Sequence, residues 1–351
     1  MKIDIKKERL PKDILSMSDW GIAMSRYTRP KLQFSGHTRE DYLFWRKLFE
    51  AKYRELLVPF PKKVPLRAKV LDRRTFRTYI REKVIFASER FMSVPAWVCI
   101  PTARKRGQRL PAVIHCHGHG KGKDGSVGVD QKGNPTYMNH LKNLSVRLAE
   151  AGYVAIAPDW RVFGERAETP EKDPSPRDIC NLANLITELF GYNLLSLNVW
   201  DGIRTIDYLA TRQDVDISRI GCVGCSFGGT MTTFLSAADK RITAACISGY
   251  LTSTKKCFFW SGCGSQTLPG LLRWGDRAEV AGLICPRPLL IQVGQYDSTF
   301  PAEGALKEYR RLRKIYRAAG VEDRIDLDLF EGCHELRVPS IIQWFDRWLK
   351  K

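Results

Sequence analysis

No stretch of this 351-residue chain comes near the about 18 consecutive apolar residues that a membrane-spanning helix needs, which excludes such a span. The N-terminal MKIDIKKERLPKDILSM has neither an apolar core nor a small-residue cleavage site, so it does not read as a secretory signal. Cysteine is too sparse for a disulfide scaffold: there are ten, and most lie in apolar runs, such as Cys99 in AWVCI and Cys246 in TAACIS. Thiols there act as small buried hydrophobes, and with no signal a reducing, cytoplasmic setting is the expectation. Cys257 and Cys263 could pair, and their spacing leaves that open. Tandem repeats are missing. The Gly-rich 118–135 fails the phosphate-loop pattern.

Acidic residues are scarce in one part of the chain only. The net charge is +19, from 57 Lys+Arg against 38 Asp+Glu. Residues 1–110 carry 27 basic and 11 acidic residues, a net of +16, which leaves +3 for the remainder. A basic segment invites a nucleic-acid or anionic-surface reading. No recognised nucleic-acid motif accompanies it, so a basic solvated face is favoured over nucleic-acid binding. Homo-oligomerisation is left open.

Residues 38–57 read as an amphipathic helix capped by Thr38 with Asp41 three residues on. Phe44, Leu48 and neighbouring Tyr and Leu positions form its expected apolar stripe. The basic, Pro-containing 61–74 reads as a linker or surface loop. From about residue 76, eight strands are expected at 77–88, 94–100, 111–116, 153–158, 219–225, 244–249, 288–294 and 324–331. Helices are expected at about 138–151, 195–212, 228–238, 303–319 and 339–350. The first two strands follow each other without a helix and should be antiparallel. The others alternate with helices, which argues for a parallel sheet covered on both faces. The division is then a basic helical extension, 1–75, packing on a catalytic domain, 76–351, with 252–284 as a candidate cap insertion.

Gly224-Cys225-Ser226-Phe227-Gly228 is a G-x-S-x-G between a strand and a helix, the context in which that motif carries a nucleophile. A tight strand-to-helix turn crowds its second neighbours, and Gly at both positions removes the collision. A serine hydroxyl needs a base. Asp297 follows the seventh expected strand and His334 the eighth, in the order Ser, Asp, His. His334 would be the base, and Asp297 would hold its tautomer. Two backbone N–H groups should form an oxyanion hole: Phe227, and one from the turn His117-Gly118-His119-Gly120, with His119 preferred and Gly118 the near alternative.

Other patterns compete. His115, His117 and His119 alternate and could share a face as metal ligands, but the further ligands of a binuclear hydrolase are not evident, and no metal is expected. Cys222-Val223-Gly224-Cys225 is a C-x-x-C, yet its first cysteine falls inside a buried strand. Phe258, Phe259, Trp260 and Trp274 offer an apolar wall for a substrate, or ordinary packing of a cap.

These residues resemble the α/β-hydrolase superfamily, and within it the dienelactone-hydrolase-like and acetyl xylan esterase-like serine esterases. The resemblance covers roughly residues 75–351. It rests on HCHGHG (115–120), APDWRVFGER (157–166), NVWDGIRTIDYLATR (198–212), GCSFGG (224–229), GQYDSTFP (294–301) and EGCHE (331–335). It implies an α/β-hydrolase fold with an eight-stranded, mostly parallel sheet whose second strand is antiparallel. It further implies hydrolysis of small carboxylic esters, often acetyl esters of sugars, by Ser226, Asp297 and His334 through an acyl-serine and without a cofactor. Dienelactone hydrolases use a cysteine where this elbow holds Ser226, which favours an esterase over a lactonase. A serine peptidase of the prolyl-oligopeptidase type shares the fold, but residues 1–75 are too short for its propeller.

Overall fold

In a computed structural model, residues 9–130, 136, 142–167, 176–254 and 262–350 are described. Nine strands form one sheet: β1 Lys69–Thr75, β2 Tyr79–Ala87, β3 Ser93–Pro101, β4 Leu110–Cys116, β5 Val154–Pro158, β6 Val215–Cys225, β7 Ile242–Ser248, β8 Leu289–Gly294 and β9 Ile325–Phe330. Their spatial order is β1-β2-β3-β5-β4-β6-β7-β8-β9. From β5 across to β9 all pairings are parallel, while β3 runs antiparallel to both β2 and β5. This is the α/β-hydrolase fold.

The expected count of eight strands is corrected to nine. The extra strand, β1, lies in the basic segment read as a loop, within the expected extension, and pairs with β2. It is exposed along nearly its whole length, so it has no apolar alternation to betray it. Its charged residues suit an edge that must not recruit another strand.

Helices Leu194–Thr211, Phe227–Ala238, Ala302–Ala318 and Val338–Leu349 lie within a residue of their expected positions. Of the helix expected at 138–151, Leu144–Glu150 is helical, and Lys142 and Asn143 before it form a left-handed turn. Met17–Tyr27, Pro176–Leu189 and Arg277–Gly282 were not foreseen. Two apolar cores cover the two faces of the sheet.

The N-terminal helix Arg39–Leu57 has the expected capping box, with Thr38 and Asp41 bonding each other's backbone N–H. Its buried stripe is not the expected one. Tyr42, Trp45, Phe49, Tyr53 and Leu57 face the core, and Phe44 and Leu48 are exposed. The Tyr42 hydroxyl donates to the Cys285 carbonyl at 2.9 Å, and that of Tyr53 to the Phe234 carbonyl at 2.6 Å. The aromatic face therefore reaches the backbone of the helix that begins after Ser226.

Candidate active site

Ser226 sits at the C-terminal end of β6, at the edge where a parallel sheet presents its ligands, and is the N-cap of helix Phe227–Ala238. Its backbone is at φ 63° and ψ −123°, a region that costs about 1–3 kcal/mol for a side-chain-bearing residue and concentrates at functional sites. The flanking glycines are sterically required. A Cβ on Gly224 would meet the carbonyl oxygens of Cys116 and Gly228 at 2.5 Å, and one on Gly228 would collide with the Cys116 carbonyl. The elbow is thus wedged against the end of β4. The neighbouring thiol is no rival nucleophile, because burial pushes Cys225 up to about 12.

Asp297 and His334 lie after β8 and β9. His334 Nδ1 is 2.8 Å from Asp297 Oδ2, and the other carboxylate oxygen accepts the backbone N–H of Thr299 and Phe300 at 2.7 and 2.8 Å. With Nδ1–H given to the acid, Nε2 keeps its lone pair. Phe300 stacks on the imidazole, with ring centres 5.6 Å apart. The ring lies against Gly249, where an added Cβ would be 3.2 Å from His334 Nδ1. Gly249 follows Ser248, whose carbonyl accepts the Ser226 N–H at 3.2 Å. The Asp297–His334 pair thus lies beside the ends of β6 and β7, next to the Ser226 backbone. Among the described residues, no hydrogen bond joins the Ser226 hydroxyl to the imidazole.

The turn after β4 lies beside Phe227: the His119 and Phe227 rings are 5.1 Å apart. Buried His117 holds this turn. Its Nε2 accepts the Trp160 N–H at 3.1 Å, so Nδ1 carries the proton and donates to the Gly118 carbonyl at 2.7 Å. Carbonyl and N–H point opposite ways in a trans peptide. Anchoring the Gly118 carbonyl therefore fixes the direction of the His119 N–H, the candidate second oxyanion donor.

The three alternating histidines do not converge. His115 meets the Ser145 hydroxyl at 3.0 Å, His117 the backbone, and His119 Nε2 the Cys263 thiol at 3.2 Å. Alternation lapses because β4 ends at Cys116. The C-x-x-C separates as well: Cys222 Sγ lies 3.6 Å from Cys116 Sγ in one core, and Cys225 belongs to the core on the opposite face. Sequence reasoning missed Cys180, on helix Pro176–Leu189, which joins His119 and Cys263 in a small cluster. The Cys263 thiol is lowered to about 4, first by its hydrogen bond with Cys180 and also by His119, against the effect of burial. Cys257, Phe258, Phe259 and Trp260 lie outside the described residues. Trp274 is described: its ring lies under the Lys52 and Lys31 ammonium groups, 4.2 and 5.2 Å from its centre, and its carbonyl accepts the Leu32 N–H. It docks the N-terminal segment. A cleft of about 200 Å³, lined by Tyr250, Gln266, Leu268, Leu271 and Arg277, borders the helix after Ser226. Tyr250 reaches Phe300 at 5.8 Å and hence the His334 ring.

The chain is similar in sequence and fold to known proteins. A candidate hydrolase of Bacillus subtilis (strain 168), YtaP, is 27% identical over 284 residues, 76% of this chain and 87% of that protein. Among solved structures, a candidate acetyl xylan esterase from Bacteroides fragilis NCTC 9343 superposes with a TM-score of 0.77 at 18% identity, over 91% of this chain and 82% of that one. An acetyl xylan esterase from Paenibacillus sp. R4 superposes with a TM-score of 0.60 at 18% identity, over 93% and 99%. The Abhydrolase family pattern matches residues 5–260, which brings the basic N-terminal segment inside the family's own boundaries rather than outside them. With the match spanning well over half its length, the chain belongs to the Abhydrolase family.

Proposed function

We propose that the protein is a serine esterase that hydrolyses small carboxylic esters, acetyl esters of sugars among them, through an acyl-serine intermediate. The observation that carries this reading is the hydrogen-bonded His334–Asp297 pair beside the strained Ser226 elbow. The esterase names of the fold's solved neighbours agree with it.

In this reaction Ser226 Oγ attacks the ester carbonyl and His334 Nε2 takes its proton. Asp297 holds Nδ1–H and stabilises the imidazolium as it forms. The negative oxygen is held by the Phe227 and His119 N–H groups, each donor contributing about 10²–10³ in rate in comparable sites. The imidazolium then protonates the leaving alkoxide. Water, deprotonated by the same imidazole, releases the acid and restores Ser226. Burial keeps Cys225 out of this chemistry, since its thiolate is strongly disfavoured.

The test is hydrolysis of p-nitrophenyl acetate, a graded ester series and acetylated sugars by the full chain and by Ser226→Ala. The variant should lose nearly all turnover while remaining folded. Full activity in Ser226→Ala would sink the assignment, and faster cleavage of aminoacyl amides than of esters would turn it toward a peptidase.

A further inference from the structure

We propose that His119, Cys180 and Cys263 form a binding site for one zinc ion, built between the oxyanion-side turn and the segments that cover it. This inference does not depend on the esterase reading. The three side chains come from separate elements: the turn after β4, helix Pro176–Leu189, and the segment entering the short helical turn Gly264–Gln266. Their ligand atoms all lie within 4.8 Å of one another. His119 Nε2 is 3.2 Å from Cys263 Sγ and 3.9 Å from Cys180 Sγ.

These separations fit a tetrahedral soft metal ion. Zn–S bonds of about 2.3 Å and Zn–N bonds of about 2.0 Å put sulfur and nitrogen ligands about 3.5 Å apart and two sulfurs about 3.8 Å apart. The two His119–sulfur distances straddle the first value, so a zinc ion needs only sub-ångström adjustments of those side chains. The two cysteines are buried and not disulfide-bonded, and His119 is the most accessible of the three. A fourth position on that side would be open to a water.

The support around the ligands is rigid. The Asn181 side chain accepts the Gly264 N–H at 2.9 Å. Gly264 packs so closely on the Cys180 carbonyl that an added Cβ would approach it to 2.8 Å. The His119 ring is held edge-on to Phe163 at 5.2 Å. Two thiols and an imidazole are the donor set that zinc prefers over the harder divalent ions, which take oxygen ligands. Binding converts two thiols to thiolates, forms two Zn–S bonds and one Zn–N bond, and releases two protons to solvent. It ties the turn bearing the His119 N–H to the helix and turn above it.

The test uses the full-length, fully reduced, metal-free chain titrated with Co²⁺, a spectroscopic stand-in for zinc. One equivalent should produce thiolate-to-cobalt charge-transfer absorption together with the visible bands of a tetrahedral ion. Zinc should displace both. Cys180→Ser and Cys263→Ser should each abolish the charge-transfer signal, and His119→Ala should weaken binding at least tenfold. Should a serine variant fail to fold, the unmodified chain supplies the second measurement. Zinc should slow alkylation of Cys180 and Cys263 at least tenfold, read peptide by peptide, and leave exposed Cys333 unaffected. Absence of charge transfer, its persistence in both serine variants, or alkylation indifferent to zinc would overturn the proposal. So would a chain that binds no cobalt yet readily forms a Cys180–Cys263 disulfide with peroxide.

Discussion

Replacing Asp297 by Asn should damage catalysis far more than its single-atom change suggests, and the hydrogen bonds say why. One carboxylate oxygen accepts the N–H groups of Thr299 and Phe300 at 2.7 and 2.8 Å. An asparagine must keep its carbonyl there, because turning its NH₂ toward two backbone donors would leave all of them unsatisfied in a buried position. The NH₂ is then forced to face His334 Nδ1, 2.8 Å away in the present structure. It can only donate, so Nδ1 must give up its proton and Nε2 must carry one. The imidazole is left in the wrong tautomer, with no lone pair for the serine proton. A triad with its acid amidated in this way loses about 10⁴ in turnover, or about 5.5 kcal/mol of transition-state stabilisation. The assay is steady-state hydrolysis of p-nitrophenyl acetate from pH 6 to 10, alongside thermal unfolding. The expected result is a fall of about 10⁴ in kcat near neutral pH, with the folded structure retained. A variant within tenfold of the parent would refute both the tautomer argument and the role given to His334.

His117→Ala removes the donor that holds the Gly118 carbonyl. It should lower kcat ten- to a hundredfold with KM changed less than threefold; unchanged kcat would show that the turn keeps its shape without His117. Glu308 gives a prediction about pH. Burial raises its carboxyl from 4.5 to about 7, with Arg311 opposing and the nearby Asp276 and Glu279 adding to the rise. Between those values the folded chain holds a proton that the unfolded chain has lost, so this group's contribution to stability falls as pH rises from about 4.5 to 7 and is level above that. The loss is about 3 kcal/mol, on the order of 1.4 per pKa unit. Urea unfolding at pH 5 and 8 should show Glu308→Gln gaining on the parent at the higher pH, and parallel curves would contradict it.

What could be read from the sequence were features decided locally. The Ser226 elbow is legible because its glycines are demanded by sterics within five residues and by the end of β4. Asp297 and His334 are legible because each comes within four residues of the end of a short strand run, LLIQVG for Asp297 and IDLDLF for His334. The Thr38–Asp41 cap is a three-residue interaction. What escaped was decided by distant chain. Arg39–Leu57 carries apolar residues on two sides, and only the core chooses Tyr42, Trp45 and Phe49 over Phe44 and Leu48. Strand β1 is basic and solvated, so its pairing with β2 has no apolar signature. Cys180 meets His119 across 61 residues of chain and Cys263 meets it across 144, separations at which no motif can be recognised.

The excess positive charge can now be located relative to the chemistry. Part of it is spent within the molecule. Arg46, Arg54 and Lys240 share Glu50; Lys63 meets Asp207; Arg73 and Arg212 share Glu82. Cations already paired with carboxylates contribute little to displacing counterions from a polyanion. One exposed cluster, Arg104, Lys105, Arg106 and Arg109, lies in the connection from β3 to β4. That connection enters β4 at its N-terminal end. Ser226 sits at the C-terminal end of β6, which runs parallel to β4. A seven-residue strand at about 3.3 Å per residue puts about 20 Å of sheet between the two ends. The screening length in physiological salt is about 8 Å. Charge on that edge is therefore too remote to steer a small ester toward Ser226.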